Sequence, residues 1–513
     1  MSMKIAVLAE RAEGETRVAV SPETVGKLKA LGADVVIEAG AGARSRFTDE
    51  AFAAAGAEML ADRVAVVAGA EVVLGVRRPE AAALAGAAPG ALVIGAMDPY
   101  GNEPAIKALA DAGVTAIAME FMPRITRAQV MDILSSQANL AGYQGVIEAA
   151  AAFGRAFPMM MTAAGTVRPA KVFVMGAGVA GLQAIATARR LGGVVTANDV
   201  RPAAKEQVES LGGKFIAVED DEFRQAETSG GYAKEMSAEY KQKQAALTAS
   251  HIAKQDIVIT TALIPGRPAP RLISAQMVET MAPGSVIVDL AAERGGNCEL
   301  TVPGEIIEHR GVTIIGHRNF PGRLPTSASQ LYARNLLAFL ETLIGKETRA
   351  LAVNWDDELV KATVLTRDGA IVHPNIRLEP APMPTEVPAM ADTPRPPEAA
   401  VIEERPAEAS TASTTEAAPA PAAIAKPRAR KAATPKTAAP KTDASKIAAP
   451  KTAASKTAAP KTAASRTRAA ATRADATKPA AAGAKAKPAR PAKTGAAAKP
   501  RVPRKPETPR DDQ

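Results

Sequence analysis

Three glycines, Gly176, Gly178 and Gly181, stand at G-x-G-x-x-G spacing between a short apolar run, Lys171–Met175, and a helical stretch over 182–191 that stops at Gly192 and Gly193. Each glycine has a separate use where backbone must approach a phosphate. Gly176 permits the tight turn, Gly178 lets the chain come close to a pyrophosphate, and Gly181 lets the helix pack on the strand. The free amides at the helix start hold the anion. A second strand over 194–199 ends in Asp199, 18 residues past Gly181. Its carboxylate can accept both ribose hydroxyls at the adenosine end. A 2′-phosphate would meet that carboxylate, so the pattern favours NAD(H) over NADP(H); Arg201 and Lys205 nearby pull the other way. Alone, such glycines also suit a turn that binds nothing. Strand, helix, second strand and terminal acid together specify a dinucleotide site.

A second polar group lies at 120–136, where Arg124, Arg127, Gln129, Asp132, Ser135 and Ser136 fall between two regions of alternating strands and helices. A cleft between domains is where the reactive end of a nucleotide belongs. The other reading is a capped linker with surface charges. The stretch 219–240 has no clear period. Gly230 and Gly231 suit hinges and Tyr232 a closing group, as in a functional lid; a tolerated surface insertion reads the same way. The segment 262–264 follows a strand over 256–261 and should face the adenosine or the pyrophosphate.

The elements that must position these residues are legible from periodicity. Strands are predicted over 4–9, 34–38, 71–76, 91–96 and 114–119, with helices opening at Ser21-Pro22 and Thr48 and another over 104–112. A long helix over 137–157 joins this region to the nucleotide unit. Met159, Met160 and Met161 read as core filler. Beyond Asp199 come a helix over 202–211, a strand over 215–218, a helix over 241–254, and strands over 256–261, 285–290 and 312–316. A helix over 326–344 returns to the first region, and 350–365 with 370–373 reads as a hairpin around Asp368-Gly369. The fold class is α/β: two Rossmann-like doubly wound domains with a cleft between them, a C-terminal β-hairpin, then a long disordered basic tail. The expected boundaries are 1–136, completed by about 326–380; 137–325 for the nucleotide domain; and 381–513 for the tail.

Charge divides the chain within the expected tail. Residues 426–513 hold 23 Lys and Arg against 5 Asp and Glu, so the remainder carries a net −9 within the overall +9 of the 513 residues. Repeats of Ala-Ala-Pro-Lys-Thr begin at Ala438, Ala448 and Ala458; they have too few large apolar residues to fold. Nucleic acid or acidic lipid are candidate partners for this tail alone, through phosphate neutralisation without base stacking. One cysteine, Cys298, excludes an intrachain disulfide and suits an inert thiol. No run of 18 apolar residues occurs, and the start of the chain enters a strand without a signal-peptide pattern.

Several blocks resemble the NAD(H)-binding α subunit of proton-translocating NAD(P) transhydrogenase: 124–136, 158–166, 178–187, 205–215, 230–236, 259–266 and 366–374. The likeness spans about 3–380 and is similar to the split bacterial type. It implies direct hydride transfer from NADH on this chain to NADP(H) sites on a partner β subunit, coupled to proton passage through a membrane-spanning subunit. It implies a homodimer, with the 350–374 hairpin exchanged or packed between subunits, located in the cytoplasm and held peripherally at the inner membrane by its partners. By resemblance, Arg124, Gln129, Asp132 and Ser135 orient the nicotinamide and its ribose, and Ile125 and Thr126 line that pocket. Val179, Ala180 and Gly181 meet the pyrophosphate, while Asp199, Val200 and Arg201 surround the adenosine ribose. Gly231, Tyr232 and Gln244 match a mobile loop and the helix after it, and Leu263 a residue beside the adenine. Alanine dehydrogenase shares the architecture but needs a lysine where this chain has Arg77 and a histidine within 94–98, which has none. A scaffold whose working part is the tail is a third reading, opposed by the intact nucleotide blocks.

Overall fold

Alternate residues of each central strand face opposite ways, and here both faces are apolar, which requires layers on both sides of the sheet. In β1 (Met3–Val7), Ile5 and Val7 enter one core and Ala6 the other. With β2 (Ala33–Glu38), β3 (Glu58–Leu60), β4 (Val72–Arg77), β5 (Leu92–Ala96) and β6 (Thr115–Ala118), it forms a six-stranded parallel sheet in the order β3-β2-β1-β4-β5-β6. The structure, a computed structural model, describes residues 2–224 and 237–377.

The next pair, β7 (Met160–Thr162) and β8 (Gly165–Val167), is a small antiparallel hairpin. It overturns the reading of the methionines as core filler: Met159, Met160 and Met161 are 61%, 43% and 80% exposed. The second large sheet comprises β9 (Lys171–Met175), β10 (Val194–Asn198), β11 (Lys214–Phe215), β12 (Ile257–Thr260), β13 (Val286–Asp289), β14 (Ile306–His309) and β15 (Val312–Ile315). Its order is β11-β10-β9-β12-β13-β15-β14, parallel except for β14 against β15. Both sheets thus have the doubly wound, Rossmann-like order, and both reverse direction beside their first strand, where ligands bind such sheets. Neither β3 nor β14 is apparent in the sequence: β3 has three residues, and the turn into β15 uses Arg310 at φ 50 where an asparagine would signal a hairpin.

Two long helices tie the sheets together. The connecting helix, Ile133–Ala152, starts four residues earlier than its apolar pattern suggests, because Asp132 caps it by accepting the Ser135 amide at 2.9 Å. The returning helix, Pro325–Leu343, completes the first sheet's core with Tyr332, Leu336, Phe339 and Leu340. The Tyr332 hydroxyl donates toward the Gly75 and Val76 carbonyls and accepts the Ala96 amide, each at 3.1 Å.

The C-terminal hairpin differs from expectation. Only β16 (Thr366–Arg367) and β17 (Ala370–Ile371) pair, and the stretch before them contains a helix, Glu358–Thr363, rather than a long strand. This segment is not a free arm. Val364 bridges to Ile117, the Leu365 amide donates to the Ala116 carbonyl at 2.8 Å, and buried Thr366 accepts the Ala116 amide and donates to the Val114 carbonyl. It closes the open edge at β6 of its own chain. Among the described residues, no helix is long and apolar enough to cross a membrane.

Candidate dinucleotide site

At the C-terminal ends of β9 and β10 the three glycines meet three different surroundings. Gly176 has φ 101, and a Cβ there would press on the Thr261 hydroxyl. A Cβ on Gly181 would overlap the Gly176 carbonyl oxygen. Gly178 has ordinary φ and nothing within 4 Å of where its Cβ would lie. Two glycines are therefore demanded by the fold, while Gly178 opens onto free space beside the helix Val179–Arg190. That helix has no side-chain cap, so its first amides remain available to an anion. The arrangement fits a pyrophosphate held by Gly178, Val179 and Ala180, with Val179 exposed.

Asp199 follows the last residue of β10. Its carboxylate accepts the Ala177 amide at 2.8 Å and the Arg201 amide, Nε and a terminal nitrogen, each at 2.9 Å. The acid that would take the ribose hydroxyls thus also shapes the glycine loop. Both cations that pull against the NAD(H) reading have carboxylate partners: Arg201 pairs with Asp199, and Lys205 with Glu219 at 2.7 Å. Val200 is exposed beside them.

The loop after β12 forms another wall. Asn297, fully buried, accepts the Ala262 amide at 3.0 Å and donates to the Ala262 and Pro270 carbonyls at 2.8 Å. This brace holds Leu263 and Ile264 outward as exposed apolar groups. Nothing in the local sequence marks Asn297 as that brace, since its partners lie 27 and 35 positions earlier. Gln244 holds the chain beyond β11, accepting the Val218 amide at 3.2 Å. Gly231 and Tyr232 lie outside the described residues.

The polar segment 124–135 is fixed to the returning helix. Asn335 of the returning helix donates to the Val130 carbonyl and accepts the Ser136 hydroxyl, both at 2.7 Å. Arg127 leaves the group: it pairs with Asp357 at 2.7 Å and Glu358 at 3.1 Å. Arg124, Thr126 and Gln129 are exposed, Ile125 is half-buried ahead of a short helix, Thr126–Met131, and Asp132 and Ser135 are half-buried at the start of the connecting helix. That helix then crosses the nucleotide helix with Gly142 against Ala180, where a Cβ would overlap the Ala180 carbonyl. Ser135 lies seven residues before Gly142, on the same helix face and about 10 Å nearer the helix start. Asp132 and Ser135 are joined to each other, the Ser135 hydroxyl donating to the Asp132 carboxylate at 2.5 Å.

Across the cleft, charged side chains from the first sheet are already matched. Arg17 donates to Glu15 at 2.7 and 2.6 Å and to Gln137 at 2.9 Å. Arg77 binds Glu15 at 2.8 Å and, from the other lobe, Glu293 at 3.0 Å. Asp98 pairs with Arg294. Burial would push the Glu15 carboxyl up, but Arg17 and Arg77 hold it down at about 2. Glu10, which accepts the Val76 amide at 2.6 Å, is pushed up by burial to about 7. Cys298 is fully buried, which pushes its thiol up and leaves it no nucleophilic role.

Two family models match in succession, "Alanine dehydrogenase/PNT, N-terminal domain" over residues 6–141 and "Alanine dehydrogenase/PNT, C-terminal domain" over 145–374. The chain belongs to the alanine dehydrogenase/PNT family. Within the family it is 55% identical over 377 residues to the first segment of the NAD(P) transhydrogenase alpha subunit of Rhodospirillum rubrum, covering 72% of this chain and 98% of that one. The alanine dehydrogenase of Halomonas elongata is 31% identical over 380 residues, covering 72% and 95%. Among solved structures, a transhydrogenase from Sinorhizobium meliloti is similar at 61% identity and a TM-score of 0.66, covering 72% of this chain and 100% of that one. An L-alanine dehydrogenase follows at 26% identity and a TM-score of 0.61, covering 73% and 98%. Both branches of the family share this fold; close relatives of the chain are transhydrogenase α subunits, and it is an oxidoreductase subunit of NAD-binding type.

Proposed function

We propose that this chain is the NAD(H)-holding subunit of a proton-translocating NAD(P) transhydrogenase, passing hydride directly to NADP⁺ on a partner β subunit. The observation that carries the reading is the glycine loop, where Gly178 opens onto free space at the uncapped start of the helix Val179–Arg190 and Asp199 holds the loop from the end of the next strand. Bound NADH supplies the hydride. The chain's own groups supply position: amides at Gly178–Ala180 take the pyrophosphate, Asp199 the ribose, and Arg124, Gln129, Asp132 and Ser135 fix the nicotinamide end. Transfer between two nicotinamides needs proximity and alignment, not a general acid. Coupling to proton passage belongs to the membrane-spanning subunit, which would hold this chain at the cytoplasmic face of the inner membrane.

The alanine dehydrogenase reading lacks its chemistry. A 2-oxo acid needs an uncommitted cation for its carboxylate, yet Arg17 and Arg77 are both bound to Glu15. Position 98 offers a carboxylate engaged by Arg294, and no histidine. The chain acts as a homodimer in this proposal. The C-terminal hairpin is occupied by its own sheet, so the contact between copies is assigned to the exposed methionine hairpin at β7 and β8.

The test mixes the full chain with NADH and an NADP(H)-binding transhydrogenase domain loaded with an NADP⁺ analogue, and follows analogue reduction optically. Reduction that requires both proteins supports the proposal. NADH binding without reduction, or brisk NAD⁺-dependent oxidation of alanine by the chain alone, overturns it.

A further inference from the structure

A cleft of about 860 Å³ opens between the two lobes on the far side of the connecting helix from the glycine loop. Gln144 and Glu148 line it, roughly 200° and 240° around the helix from Gly142. It shares no residue with the dinucleotide site described above. Four arginines reach it: Arg44 and Arg46 from the first lobe, Arg318 and Arg323 from the loop after β15. Only two carboxylates face them. Glu148 is taken by Arg323 at 2.5 Å and by Gln144 at 2.8 Å, which leaves Glu13. Arg44 spends a hydrogen bond on the Glu15 carbonyl, and neither Arg46 nor Arg318 has a carboxylate within ion-pair distance among the described residues.

This positive surplus lies in a body, residues 1–380, whose net charge is −4. Like charges facing one another across a cleft are unfavourable unless a counter-charge enters. The wall adds donors of the same kind. The returning helix begins here with Pro325 and no side-chain cap, so the Thr326 and Ser327 amides have no acceptor within the helix. The volume is that of a small-molecule site.

We propose that this inter-lobe cleft binds a small, multiply charged phosphate compound, whose anionic groups bridge Arg46 on one lobe and Arg318 on the other. Two phosphoryl groups suit two separated guanidinium groups, each of which can bind bidentately. Occupancy ties the lobes together behind the helix that carries Asp132 and Ser135. The site is therefore placed to change how the nicotinamide segment is held.

Pyrophosphate is the probe. The full chain is first saturated with NADH, so that the glycine loop is filled, and then titrated calorimetrically with pyrophosphate and separately with inorganic phosphate at constant ionic strength. Hydrogen exchange is measured in parallel. Pyrophosphate is expected to bind at least tenfold more tightly than phosphate and to protect amides within 44–47 and 317–327. Arg318→Ala alone, and Arg46→Ala with Arg318→Ala, should weaken it at least tenfold while leaving NADH affinity unchanged. Titration heats identical in wild type and both variants would overturn the proposal. So would protection confined to the tail or the glycine loop, which the wild-type exchange measurement reads without any variant.

Discussion

Gly142 of the connecting helix lies so close to the Ala180 carbonyl oxygen that a side chain on Gly142 would overlap it. Gly178, two residues before Ala180, has empty space where its side chain would be. The two glycines therefore separate packing from binding. Gly142→Ala should destabilise the chain by about 1–3 kcal/mol, as overpacking does, and weaken NADH binding with it. Gly178→Ala should leave stability within roughly 0.5 kcal/mol but lower NADH affinity at least tenfold. Denaturant titration with NADH fluorescence distinguishes them; a Gly178→Ala chain that binds NADH normally would mean that no phosphate approaches there.

Asp199 holds both the glycine loop and Arg201. Asp199→Asn keeps an acceptor for the Ala177 amide but loses the charge. Binding assays should show weakened NADH and a relative preference moved toward NADPH, because the carboxylate that would repel a 2′-phosphate is gone. Unchanged preference would place the adenosine ribose elsewhere.

Glu10 gives a pH signature. Its carboxyl is raised by burial from an ordinary value of 4.5 to about 7 in the folded chain. Between those values the folded state binds more protons than the unfolded state, so this group lowers stability as pH rises from about 4.5 through 7. Glu10→Gln retains the acceptor for the Val76 amide and removes the titration. Relative to wild type, it should gain stability from pH 5 to pH 8, measured by urea midpoints. A constant difference across that range would contradict the buried, titrating carboxyl. Glu15 acts oppositely: held down at about 2, it stabilises above 4.5 and loses that contribution as pH falls through 2.

The cross-lobe ion pairs are unequal. Arg294 and Asp98 are both substantially exposed, so Arg294→Ala should cost under about 1 kcal/mol. Arg77→Ala strips a partner from Glu15, which is 1% exposed, and should cost roughly 1–3 kcal/mol even with Arg17 in place. Equal losses in thermal unfolding would show that Glu15 does not depend on Arg77.

The methionine hairpin predicts the oligomeric state. Met160→Lys with Met161→Lys should convert a dimer to a monomer in light scattering at micromolar concentration, with stability of each copy little changed because these side chains are exposed. A dimer that survives both substitutions uses another surface.

Much of the site is legible in the sequence because its determinants are local. Glycine spacing, an apolar run on either side and an acid at the next strand's end all fall within 171–199, where backbone sterics and strand periodicity act over a few residues. Ser21 and Thr48 as helix caps are readable for the same reason. Three features are not. Asp132 reads as a binding group alone, although it also starts the helix. The methionines read as core because composition cannot say that β7 and β8 project from the body. The stretch before Asp368 reads as a long strand because β-branched residues also serve a short helix packed on a sheet edge.

The dinucleotide unit, the doubly wound class and the change to a basic, Ala/Pro/Lys-rich composition toward the end of the chain are all written in neighbouring residues. Which charges have partners is settled only by packing. Glu15 meets Arg77 across 62 positions, Arg77 meets Glu293 across 216, and Gly142 meets Ala180 through helix crossing. Such pairings depend on how two sheets are set against each other by the connecting and returning helices. No local pattern encodes them, because Coulomb and contact forces depend on distance in space rather than along the chain.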